Sequence, residues 1–118
     1  MKKIVVFALM FSVLSIYGQE TIKPKVEKKG DMTEVTYYHD NGTIEQQGTF
    51  NADGKLHGVW KSYDLDGNKT AVGNYDNGKK VGKWFFWSED TLKEVDYIDS
   101  RVVSVNQWSN STKLATSN

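Results

Sequence analysis

The chain contains no cysteine, one proline (Pro24) and two histidines in 118 residues. Without cysteine there is no disulfide, no thiolate nucleophile and no Cys-built zinc site, so a small domain must be held by packing alone. Charge of one sign is also missing. The formal net charge is zero. Past residue 18, 13 Lys and Arg stand against 15 Asp and Glu, a balance of −2. That argues against nucleic acid and against a strongly anionic membrane surface as obligate partners. There is no Gly-x-Ser-x-Gly elbow, no Gly-x-x-x-x-Gly-Lys-Ser/Thr loop and no Gly-x-Gly-x-x-Gly opening a helix. Nor does any stretch past residue 18 place apolar residues at i, i+3, i+4 and i+7 over two turns, so no amphipathic helix is expected.

What the chain has is aromatics and glycines in a repeated order. Between Phe50 and Trp87 one pattern is stated twice: Phe50, Gly54-Lys55, Gly58, Trp60, Tyr63, then Tyr75, Gly78-Lys79, Gly82, Trp84, Trp87. From the Gly-Lys pair onward the offset is a constant 24 residues. Self-similarity at this period marks a repeat architecture, whose units bury apolar surface only by stacking on one another.

The N-terminus reads differently. Lys2-Lys3, an apolar run over Ile4–Ile16 and Gly18 form the pattern of a cleaved secretory signal peptide over residues 1–18. The run is shorter than the roughly 20 residues that span a bilayer. The expected location is therefore periplasmic or extracellular. Residues 19–31 are polar and charge-rich, expected as a flexible tether. Residues 32–108 form the repeat domain, and 109–118 a polar, disordered tail.

Seven short strands are expected within the domain: 32–38, 43–50, 59–63, 68–75, 83–87, 92–98 and 102–108. Turns at His39–Gly42, Asn51–Gly58, Asp64–Gly67, Asp76–Gly82, Ser88–Thr91 and Asp99–Arg101 separate them. Gly48 and Gly73 fall inside strands, where glycine marks a bulge or another backbone in close approach. The fold class is all-β, a meander of stacked antiparallel hairpins. The last unit is degenerate. At the 24-residue offset Val102-Val103 replaces Gly78-Lys79 and Asn106 replaces Gly82, whereas Trp108 keeps the place of Trp60 and Trp84.

These residues resemble the MORN repeat in its bacterial variant, on Phe50, Gly54, Lys55, Gly58, Trp60, Tyr63, Gly67, Gly73 and Tyr75, then Gly78, Gly82, Trp84 and Trp87, with an earlier half-copy at Tyr38, Gly42, Gly48 and Phe50. Proteins with this variant look like the antitoxin-like group called YwqK. The resemblance implies a β-hairpin ribbon that serves as a binding or scaffolding surface, with no catalytic residue attached to the repeat.

The expectation is thus a non-enzymatic, exported interaction module, with another protein as partner and neither cofactor nor metal. The alternative is a cell-envelope protein that touches a membrane or glycan. A small enzyme ranks last: nucleotide adenylyltransferase chemistry in its known form uses a parallel α/β fold and a His-x-Gly-His motif, and this chain has neither. His39 and His57 are read as solvent-facing turn residues rather than ligands, and Asp64-Leu65-Asp66-Gly67 as a turn rather than a calcium loop. Trp60, Trp84 and Trp108 are expected in the core. Trp84 and Phe86 share one face of their strand, and Phe85 and Trp87 the other. Phe85 and Trp87, with Lys55 and Lys79 on the turns, are the candidate interaction surface.

Overall fold

A computed structural model describes residues 22–109. The expected signal peptide and most of the expected tail lie outside that range. The described chain forms eight strands, β1 (Lys25–Lys29), β2 (Met32–Tyr38), β3 (Ile44–Phe50), β4 (Leu56–Tyr63), β5 (Lys69–Asp76), β6 (Lys79–Ser88), β7 (Thr91–Ile98) and β8 (Arg101–Ser109). They make a single sheet in strand order 1 to 8, each strand antiparallel to the next.

The turns explain why the meander closes where it does. At one end His39–Thr43 and Asp64–Asn68 have the same form, as does Asn51–Lys55 at the other. In each, the first residue bonds the fifth through the backbone, and the fourth is a positive-φ glycine: Gly42, Gly54 or Gly67. Asn51 and Asp64 add a side-chain oxygen that accepts two backbone N–H groups of their own turn, at 2.9–3.0 Å. That is the Asx chemistry that makes Asn and Asp turn residues. The β5–β6 and β7–β8 hairpins are tighter, with Asn77-Gly78 and Asp99-Ser100 both at positive φ, as a two-residue type I′ turn requires.

Successive turns stack with the sequence period. The His39 Nε2–H donates to the Tyr63 carbonyl at 2.9 Å and the Asn41 amide to the Leu65 carbonyl at 3.0 Å, both across 24 residues. At the other end the Gly78 N–H donates to the Leu56 carbonyl at 2.7 Å. The Asn77 N–H donates to His57 Nδ1 at 3.2 Å. His39 is a half-buried connector rather than the solvent-facing residue expected, whereas the His57 side chain is 38% exposed and still bonds the neighbouring turn.

The packing unit is a tryptophan seated on a glycine. Trp60 and Trp84 are 2% and 5% exposed. Their indoles lie against Gly48 and Gly73 so closely that a Cβ there would stand 2.0 and 1.9 Å from ring atoms. Each indole N–H donates at 3.0 Å to the carbonyl just past that glycine, on Thr49 or Asn74. What approaches the strand glycines is therefore a ring, not a second backbone. Around them Phe50, Trp60, Tyr75, Trp84 and Tyr97 form an edge-to-face ladder with centroid spacings of 5.0–6.4 Å. That is the geometry favoured by the ring quadrupoles. Val35, Tyr37 and Leu56 complete the first cluster.

Three further departures from expectation have physical reasons. The polar segment expected as a tether contributes β1, which pairs with β2 from Lys29↔Met32 to Lys25↔Thr36 through a turn with Gly30 at φ 63°. Every residue of β1 is exposed, so no apolar alternation announces it. Leu56–Gly58 and Lys79–Gly82, expected as turns, belong to β4 and β6. Gly58 (φ 83°) and Gly82 (φ 71°) take up an irregularity inside the strand, where the register slips opposite Gly48 and Gly73. Finally, the hairpin before β8 turns at Asp99-Ser100, two residues ahead of the 24-residue offset from Asn77-Gly78. Trp108 therefore pairs with Leu92 and is half-buried; it does not take the seat of Trp60 and Trp84.

Candidate functional site

Strand alternation puts the tryptophan ladder on one face and a second set of side chains on the other. Across the second face runs the row Lys61, Val72, Phe85, Glu94. Beside it lies Trp87, Leu92, Trp108. Phe85 and Trp87 stack at 6.1 Å with an interplanar angle of 27°. Val72, Phe85, Trp87, Leu92 and Trp108 are all half-buried. Among the described residues the sheet is one layer, so no second layer covers this apolar strip.

The strip has a polar side and an acidic end. Lys83 reaches Glu94 at 2.8 Å and Asp96 at 3.2 Å. The Ser104 hydroxyl donates to Asp96 at 2.8 Å. These bonds, from Ser104 first and then Lys83, hold the Asp96 carboxyl below its ordinary range, and the two carboxylates hold the Lys83 ammonium above its own. At the other end Trp87 and Leu92 floor an open cleft of about 600 Å³ between the β4–β5 and β6–β7 turns. Asp64, Asp66, Glu89 and Asp90 line its rim, with Lys69 the one cation among the lining residues. Asp64 is committed to its turn, because backbone N–H bonds from Asn68 and Asp66 favour the charged form and lower its pKa. Asp66 and Glu89, both exposed, leave the cleft mouth negative.

The four residues expected as an interaction surface do not converge. Phe85 and Trp87 stand together, but Lys55, on a turn, and Lys79, the first residue of β6, sit at the opposite end of the sheet. Lys79 opens β6 and Trp87 nearly closes it, a separation of about 26 Å along an extended strand. Both lysines are exposed and apart from the pair, and the candidate surface around Phe85 and Trp87 is aromatic with an acidic end. Sequence reading missed Leu92 and the acidic rim, because Asp66 and Glu89 lie in different turns that only the meander brings to one end. Among the described residues no group of three or more His, Asp or Glu could hold a metal ion.

Two segments of this sheet match the MORN repeat variant. They are residues 33–52 and 56–77, covering β2–β3 and β4–β5. Each MORN match therefore spans one hairpin with its glycine turn. The second ends before β6, so the Phe85–Trp87 pair lies beyond the matched segments. No curated protein and no solved structure matches the chain.

Proposed function

We propose that the protein is a non-catalytic interaction module built on a MORN-type sheet, and that its partner is a protein that docks a basic segment across the Phe85–Trp87 strip and into the acid-rimmed cleft. The observation that carries this reading is the stacked Phe85–Trp87 pair, half-buried on a face with no second layer among the described residues and continuous with a negative cleft. Aromatic anchors beside complementary charge are the usual centres of binding energy at protein interfaces. The resemblance to the antitoxin-like group makes a toxin-like protein one such partner. The pattern of residues 1–18 supports placing the encounter outside the cytoplasm.

The test is a photoreactive side chain at position 87 in cells that export the protein, with the same group at position 79 as reference. We expect one protein captured from position 87 and not from position 79. Its affinity should fall about 30-fold in Trp87→Ala, the hot-spot range. Charge reversal by Glu89→Lys should also weaken it, with Lys55→Ala neutral. Capture of lipid or cell-wall glycan alone would replace this reading with an envelope-surface one.

A further inference from the structure

The two edges of the sheet are unlike. β1 is five residues long and four of them, Lys25, Glu27, Lys28 and Lys29, are charged. Short length and lysine are what blunt an edge against further pairing. β8 runs nine residues with Arg101 as its one charge. Val102, Val103 and Val105 on it are 52–55% exposed, and Arg101–Gln107 is exposed throughout. Long, valine-bearing and with a single charge, β8 is an uncovered edge among the described residues and has the properties of a strand open to a further partner.

We infer that β8 pairs antiparallel with β8 of a second copy, about a two-fold axis at Val105. Two observations select a second copy as the occupant. The first is continuity. The core row runs from Trp84 through Val95, 5% and 4% exposed, to Val105 at 52%, where it breaks off at the edge. A two-fold at Val105 sets valine against valine and runs the row on into the second molecule's Val95 and Trp84. The second is charge. In that register Arg101 of each strand stands opposite Ser109 of the other, so no like charges meet. Pairing β8 with β1 of another copy would set a +1 strand against a +2 strand, and β1 with β1 would set +2 against +2. β8 with β8 sets only +1 against +1, with the two Arg101 at opposite ends of the paired strands, and it closes as a two-fold, the common form of a homodimer.

The mass of the purified protein by sedimentation equilibrium tests this. We expect two chains, and one chain for Val105→Lys, which places two ammonium groups at the axis. Because Val105 is half exposed in the single chain, that variant should keep the wild-type circular dichroism. A second variant does not depend on this. The protein has no cysteine, so Val105→Cys can form a disulfide only between copies, and directly opposed residues are within bridging reach. We expect a covalent dimer from Val105→Cys, and none from Val26→Cys, whose parent residue is somewhat more exposed on the other edge. A single-chain mass for the wild type, a dimer that survives Val105→Lys, or crosslinking at 26 in place of 105 would each overturn the inference.

Discussion

A single methyl group is the sharpest probe of the repeat. At Gly48 or Gly73 it would collide with an indole that is buried and hydrogen-bonded, leaving the ring nowhere to move without losing its seat. Gly48→Ala and Gly73→Ala should each lower the unfolding free energy by about 2–3 kcal/mol, the overpacking range, read from urea titrations. A second residue-scale expectation concerns acid. The Asp64 carboxyl is held below its ordinary value in the folded chain, so its contribution to stability is complete above the unfolded pKa. It is lost as pH falls from about 4 through the lowered folded value. Asp96 acts in the same direction. Melting temperature should therefore drop on the acid side of about pH 4, and Asp64→Asn should flatten that drop while keeping the turn, since Asn51 caps its own turn with the same two bonds. That strand glycines meant close approach was legible from their position. Which group approached was not, because Trp60 lies on another strand.

At the scale of the element, the device that defines a unit is the slip in register at Gly58 and Gly82. It lets the following tryptophan swing over the glycine of the preceding strand. Gly82 sits at φ 71° with open space around its α-carbon, so a side chain there meets backbone strain and no clash. Gly82→Val should cost about 1–3 kcal/mol, and the emission of Trp84 should shift to the red as its seat loosens. An unchanged melting temperature would show that the slip does not need glycine. The strand cores were readable from β-branched and aromatic runs. The starts of β4 and β6 were not, since a glycine inside a strand and a glycine in a turn look alike in one sequence. β1 was hidden for the opposite reason: as an edge strand exposed on both faces, it carries no alternation.

For the whole molecule, the two faces should separate stability from binding. Trp60 lies in the core cluster, and Trp60→Ala should cost about 3–5 kcal/mol, as large aromatic deletions do. Trp87 is half-buried on the uncovered face, and Trp87→Ala should cost clearly less, its main loss being the stack on Phe85. Equal losses in guanidinium unfolding would mean that the second face is also core. Hydrogen exchange adds a check on the edges. β1 should exchange first, and the protection of β8 should rise with protein concentration if it joins a second copy.

The sequence by itself determined the class and the unit: alternating aromatics, turn glycines and a 24-residue offset admit stacked hairpins and little else, because those are local rules of φ, pleat and period. It also separated Phe85 and Trp87 from Trp84 and Phe86, since alternation is a property of any strand. Only the tertiary structure decided that the lysine turns and the aromatic pair lie at opposite ends. It alone joined Asp66 and Glu89 at one cleft and, among the described residues, left β8 open while β1 is blunted. Those facts depend on which turns the meander stacks at each end and where the array stops, and both are set by pairing between strands distant in sequence.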